Sequence, residues 1–224
     1  MSLDQQKIHR EQSRFNMVEQ QIRTWEVLDP KVLDLLKKLP REDFVPKQYQ
    51  GLAFADIEIP LGNGQFMLSP KIEGRILQAL AIKNTDKVLE IGTGAGYLTA
   101  LMASQAKRVD SIELDAKLSA QAAKHAAAHG IKNVNFIVGD GTQGLAAKAP
   151  YDVIVYTGGL SLMPTSVESQ LAVGGRLFAV VGEAPIMEAM LVKRVSEDAC
   201  EREALFETCL PILANAPQPE RFSF

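Results

Sequence analysis

Residues 87–97 read Lys-Val-Leu-Glu-Ile-Gly-Thr-Gly-Ala-Gly-Tyr, a short apolar run that passes straight into three alternating glycines and then into helical spacing. Few architectures accommodate that order. Glycines let the main chain turn sharply and bring a ligand close to the backbone. The helix that follows offers free N–H groups and the positive end of its dipole. A turn of this kind belongs between the first strand and first helix of an open α/β sheet.

The rest of the chain supports that placement. After residue 84, strands and helices alternate. Strands are expected at Lys87–Ile91, Arg108–Glu113, Val134–Val138, Tyr151–Tyr156 and Arg176–Val181, with helices at Tyr97–Ser104 and Ala116–His129, the latter ending at Gly130. Such alternation predicts right-handed βαβ units and a mostly parallel, doubly wound sheet covered on both faces. Glu188–Arg194 and Leu205–Leu210 read as two more strands without a crossover helix between them, which predicts an antiparallel, hairpin-like end. Residues 1–83 are mostly helical. Asp29-Pro30 opens a helix through Leu39 and Pro40 stops it. Residues 44–70 carry Pro46, Gly51, Pro60, Gly62, Gly64 and Pro70 and read as an ordered irregular segment with extended pieces such as Ile57–Ile59, followed by a helix over 71–80. No linker separates 1–83 from 84–224, so 1–224 reads as one domain with an N-terminal helical extension.

Candidate ligand-facing residues fall at the carboxyl ends of three adjacent strands, as open α/β sheets require. The first group is Glu90, Gly92, Thr93, Gly94, Gly96 and Tyr97. The second is Glu113, whose carboxylate can accept from ribose hydroxyls, with Leu114 beside it. The third is Asp140-Gly141, placed to reach an adenine amine. A dinucleotide site would want its third glycine where Tyr97 stands. The G-x-G-x-G spacing suits a ligand without a pyrophosphate, and S-adenosylmethionine is one.

Composition narrows the partners. Net charge is -3, with 46% apolar and 23% charged residues. Acids and bases are interspersed, so the chain has no electrostatic footprint for nucleic acid. No apolar run reaches a membrane-spanning length and the first residues lack a signal-peptide core. Cys200 and Cys209 form no disulfide framework or metal spacing. A soluble protein of the reducing cytosol is expected, with no metal.

Beyond the glycine loop, the chain resembles the protein-L-isoaspartate (D-aspartate) O-methyltransferase family over nearly its full length. The matching segments are residues 16–22, Pro40-Arg-Glu-Asp-Phe-Val-Pro46, Ala55–Gly62, Val88–Tyr97, Gly139-Asp-Gly141, Ala149–Asp152, Gln170–Arg176 and Leu210-Pro-Ile212. The resemblance implies a class I methyltransferase, Rossmann-like fold with a seven-stranded sheet in order 3-2-1-4-5-7-6, one strand antiparallel. It implies S-adenosyl-L-methionine as methyl donor. The implied acceptor is the side-chain carboxylate of isoaspartyl residues in peptides or proteins, and its methylation the first step of protein repair.

One departure bears on the acceptor. The family carries Gln-Thr-Ile-Ser-Ala-Pro before the first core helix, its serine close to the transferred methyl. This chain reads Gln65-Phe66-Met67-Leu68-Ser69-Pro70, which puts Leu68 at the serine position and Ser69 one residue later. Neighbours in an extended segment point to opposite sides. Three readings follow: a repair methyltransferase in which Ser69 or a backbone group orients the acceptor; a methyltransferase whose acceptor pocket is made by Phe66, Met67 and Leu68; or a protein that binds S-adenosylmethionine without transferring methyl. Gly158-Gly159, where the family has alanines, is a milder departure. His125 and His129, i and i+4 on a helix, read as a solvated helix end, Trp25 reads as packing, and Arg221–Phe224 as a tail that frays or tucks its aromatics onto the sheet.

Overall fold

The computed structural model describes residues 3–219, so the terminal Arg221–Phe224 lies outside the described residues. The N-terminal part holds α1 (Leu3–Asn16), a π-helical turn (Met17–Ile22), a 3-10 turn (Arg23–Trp25) and α2 (Pro30–Lys38). Asp29 caps α2 by accepting from the Lys31 amide at 2.8 Å, with Pro30 at the first helical position. Two short strands, β1 (Ile59–Gly62) and β2 (Gln65–Met67), form an antiparallel hairpin with Ile59 opposite Met67. Helix α3 (Pro70–Leu80) follows at once.

The core alternates as the sequence predicts: β3 (Lys87–Ile91), α4 (Tyr97–Ala103), β4 (Arg108–Glu113), α5 (Ala116–Ala128), β5 (Val134–Val138), β6 (Tyr151–Leu160), α6 (Thr165–Glu168), β7 (Leu171–Glu183), β8 (Ile186–Arg194) and β9 (Cys200–Glu207). The sheet has seven strands in order β5-β4-β3-β6-β7-β8-β9, and only β8 runs against its neighbours. Strand alternation sorts the core onto two faces. Val88, Val153 and Phe178 join α3, α4 and the N-terminal elements on one side. Leu89, Ile154 and Leu177 join Val167 of α6 on the other.

The antiparallel end is present, but its order corrects the expected 3-2-1-4-5-7-6. Counted from β3, the last strands lie 5-6-7. Only residues 184–185 separate β7 from β8, and 195–199 separate β8 from β9. Loops that short join only adjacent antiparallel strands. β9 also begins at Cys200 rather than Leu205. It is an edge strand with exposed Glu201, Arg202 and Glu203, so it lacks an apolar pattern. Strands β6 and β7 are longer than expected because their pairing resumes past two irregularities, with Tyr151 opposite Leu171 at one end and Gly159 opposite Val180 at the other. Residues 59–67, read as mainly irregular, form the hairpin through Asn63-Gly64, both at positive φ.

Candidate active site

A cavity of about 260 Å³ opens at the carboxyl ends of β3, β4 and β5, roofed by the β1–β2 hairpin. Every candidate from the glycine loop and the two following strand ends borders it: Glu90, Gly92, Thr93, Gly94, Gly96, Tyr97, Glu113, Leu114, Asp140 and Gly141. Leu68 borders it too. Ser69 is buried but is not among the lining residues; its carbonyl accepts from the Ile72 and Glu73 amides and starts α3.

The glycines of the loop have steric reasons to be there. Gly92 has φ +96°, and a Cβ there would overlap the Thr157 hydroxyl, which itself donates to the Gly92 carbonyl at 2.5 Å. Gly96 has φ +83° and a Cβ would stand 2.7 Å from Cβ of Ala122, so α5 packs directly on the loop.

Glu90 is fully buried at the end of β3. Its Oε2 accepts from Ser111 at 2.6 Å and Thr99 at 2.5 Å. Because the Ser111 proton goes to Glu90, Thr93 donates to Ser111, at 2.6 Å. The other oxygen, Oε1, is buried and has no partner among the described residues. Burial pushes the Glu90 carboxyl up to about 8 against the pull of the two hydroxyls. A buried polar atom without a partner beside a ligand-sized cavity marks a place where a ligand's donor belongs.

Glu113 ties the loop down. Oε2 accepts from the Gly94 amide at 2.8 Å and Oε1 from Asp115 N at 3.0 Å, leaving lone pairs on both oxygens toward the cavity. Asp140 accepts from both the amide and the hydroxyl of Thr142, at 2.9 and 2.8 Å, and from Asn215 at 3.1 Å. These bonds, the Thr142 amide first, hold its carboxyl below the usual range. Leu114 lies half-exposed at the rim.

Sequence reasoning passed over two groups of lining residues. Pro211, Ile212, Leu213 and Ala214 close one wall. They lie against β6 at Gly158-Gly159, where a Cβ would press on Leu213 at 2.6 Å and on the Leu210 carbonyl at 2.7 Å. The paired glycines were the available signal. The second group is Glu58 before the hairpin and, one turn into α3, Glu73; both stand near Phe66 and Met67, which the sequence did offer as an acceptor wall and which line the cavity. Glu73 pairs with Arg41, both buried, at 2.6 Å. The Arg41 guanidinium also donates to the Leu68 carbonyl at 2.7 Å and the Ala53 carbonyl at 3.0 Å. Nothing local in sequence announces a contact between residues so far apart.

Two minor expectations are corrected. His125 and His129 are only partly exposed: both rings pack on Phe44, His129 pairs with Asp43 at 3.3 Å, and His125 Nδ1 lies 3.1 Å from the Ala95 carbonyl. They join α5 to the 41–46 segment. Trp25 is 44% exposed with the Lys71 ammonium 4.2 Å above its ring, a surface cation–π pair rather than core packing. Among the described residues no cluster of metal-ligating side chains occurs, and no helix is long and apolar enough to cross a membrane.

Comparison with known proteins points to one family and its fold. The family model described as Protein-L-isoaspartate(D-aspartate) O-methyltransferase matches residues 12–212. A protein-L-isoaspartate O-methyltransferase of Koribacter versatilis is 38% identical over 204 residues, 90% of this chain and 91% of its own. One from Methanoculleus marisnigri is 41% identical over 182 residues, 81% of this chain and 83% of its own. Among solved structures, a protein-L-isoaspartate O-methyltransferase superposes with a TM-score of 0.77 at 25% identity, covering 92% of this chain and 66% of that one. A putative protein-L-isoaspartate O-methyltransferase from Plasmodium falciparum, solved with S-adenosyl-L-homocysteine, gives 0.75 at 17% identity, covering 89% of this chain and 97% of its own; this likeness concerns the fold.

Proposed function

Because this chain belongs to the protein-L-isoaspartate(D-aspartate) O-methyltransferase family, we propose that it is the S-adenosylmethionine-dependent enzyme that methylates the side-chain carboxylate of isoaspartyl residues in damaged proteins. The observation that carries the reading is one continuous cavity. It is lined on one side by the glycine loop, Glu113 and Asp140, and on the other by the hairpin and Leu68. A match across 12–212 does not favour a different acceptor or a non-transferring binder.

The donor would supply a methyl on a sulfonium: the acceptor oxygen would form the O–CH3 bond in line while the S–CH3 bond breaks and its electron pair stays on sulfur, leaving the neutral thioether S-adenosylhomocysteine. The chain's own residues fit such a donor. Glu90 Oε1, buried and without a partner, takes its ammonium. The Gly92, Gly94 and Gly96 amides are given to Ile112, Glu113 and Thr93, so its carboxylate would be held by the remaining amides where the turn enters α4. Glu113 accepts from the ribose hydroxyls. Asp140 and Leu114 would hold the adenine, the carboxylate as an acceptor for its amine and the leucine as an apolar surface. The acceptor carboxylate is ionised at neutral pH, so no general base is needed. The protein's work is to align and desolvate the two partners. Leu68, Met67 and Phe66 give the acceptor end an apolar wall, and Ser69 fixes the start of α3 behind it. The free Cys200 and Cys209 suit a reducing cytosol.

Incubation with radiolabelled S-adenosylmethionine and a short isoaspartyl peptide, against its aspartyl counterpart, tests the reading. Base-labile label on the isoaspartyl peptide alone is expected. Absence of label, with the donor bound in calorimetry, would sink it.

A further inference from the structure

The acceptor end lacks the hydroxyl that the family places there, since Leu68 stands at that position and Ser69 does not border the cavity. Glu73 does. It sits in the first turn of α3, 1% exposed, and lines the cavity. One guanidinium fixes its place: Arg41 donates to Glu73 Oε2 at 2.6 Å and to the Leu68 carbonyl at 2.7 Å. The Glu73 carboxyl is therefore held beside Leu68. Arg41 reaches only Oε2, and among the described residues no donor is found on the second oxygen, Oε1.

We propose that Glu73 is the hydrogen-bond donor that orients the acceptor carboxylate, through a proton on Oε1, and so takes the part of the missing serine. The inference rests on the isoaspartyl reading above. Its charge balance is favourable. An ionised Glu73 neutralises Arg41 and repels an anionic acceptor. A protonated Glu73 leaves the buried Arg41 cation for the acceptor carboxylate to balance. Burial supplies the proton near neutrality, because it raises the Glu73 carboxyl to about 7 in spite of the Arg41 charge. The other charged or titratable groups around it are Tyr97 of α4, whose phenol the Glu73 charge pushes further up, and the Arg14–Glu42 pair that also acts on Tyr97. Glu90 of β3, Glu58 before the hairpin, whose carboxyl burial also raises, Glu113 of β4 and Asp140 share the cavity.

The test is the pH dependence of kcat/KM between pH 5.5 and 9. The substrate is an acetylated isoaspartyl peptide with no group of its own titrating in that range. Wild type should lose activity about tenfold per pH unit above roughly 7, as Glu73 ionises. In Glu73→Gln the carbonyl must accept from Arg41, so the amide N–H faces the cavity at every pH. This variant should keep activity and lose the alkaline fall, while Glu90, still present, marks any other titration. Glu73→Ala should lose roughly ten- to a hundredfold below pH 7, the loss of one charge-assisted hydrogen bond. Its calorimetric affinity for S-adenosylhomocysteine should stay within about twofold of wild type, which separates the effect from misfolding. A wild-type profile flat to pH 9, or Gln and Ala variants impaired alike, overturns the assignment of Glu73 alone. A folded wild type that binds S-adenosylhomocysteine and methylates the peptide at no pH removes the isoaspartyl reading, and the Glu73 assignment with it.

Discussion

The two halves of the cavity are built in opposite ways. The donor half is local: Glu90 to Tyr97 is one uninterrupted stretch, and Glu113 and Asp140 follow at the ends of the next two strands. The acceptor half is assembled at a distance. A single buried guanidinium, Arg41, gathers Ala53 from one segment and Leu68 and Glu73 from another, both remote from it in sequence. A local site reads in sequence and tolerates change elsewhere. A gathered site does neither, because its geometry depends on one residue whose partners are all remote.

The largest expected effect breaks the gathered half. Arg41→Met leaves two buried carbonyls without a donor and Glu73 without a cation. Removing one member of a buried pair costs about 3–5 kcal/mol. For a chain of this size, each kcal/mol moves Tm by roughly 2–4 °C. Glu73 can shed its charge, having been raised to about 7. Thermal melts should therefore show the full loss near pH 8 and a smaller one near pH 6, where the carboxyl is neutral. Equal losses at both pH values would argue that the carbonyls, not the ion pair, dominate.

The donor half should fail differently. Glu113→Ala removes the acceptor for the Gly94 and Asp115 amides together with the proposed ribose contacts. Loss of charge-assisted hydrogen bonds worth about 2–3 kcal/mol predicts S-adenosylhomocysteine affinity lower by roughly 30- to 150-fold. Titration calorimetry checks this, and a change under threefold would deny Glu113 its role.

The same contrast explains what the sequence disclosed. The core strands β3, β4 and β5 were legible to the residue, since buried parallel strands are apolar runs bounded by turns. The donor candidates were legible because glycine at positive φ and acids at strand ends leave local marks. The β1–β2 hairpin was not, because its strands are four and three residues long and one carries Pro60. The final strand order was not, because it turned on two loop lengths while an analogous fold suggested another order. Glu73 and Arg41 were invisible for a deeper reason. A charged residue in a helical pattern reads as a solvated face, and only the folded chain shows both to be buried and paired.

Glu90 sharpens the comparison through pH. Its carboxyl is raised from 4.5 to about 8 in the folded chain. Between those values the folded state holds a proton that the unfolded state has released, so stability falls as pH rises. The slope is about 1.4 kcal/mol per pH unit for one group. Glu73 adds a slope of the same sign up to about 7. Glu90→Gln should flatten the decline between pH 7 and 8, where Glu90 contributes more than Glu73, and raise Tm at pH 8 for the free protein. It should also weaken donor binding, because the ammonium loses its anionic partner. An unchanged slope between pH 7 and 8 would mean that Glu90 does not carry the proton.

The smallest effect is the most discriminating. Leu68→Ser restores the family hydroxyl within the gathered half and touches nothing in the local one. Donor affinity should stay within about twofold. A second neutral donor to the acceptor should raise kcat/KM on the isoaspartyl peptide by roughly two- to tenfold. The decisive number is the coupling with Glu73. If both groups serve one carboxylate, Glu73→Ala should cost markedly less in the Leu68→Ser background than in wild type, a non-additivity that a double-mutant cycle measures directly. Additive losses would place the two side chains at separate tasks and assign Glu73 to holding Arg41, with no part in orienting the acceptor.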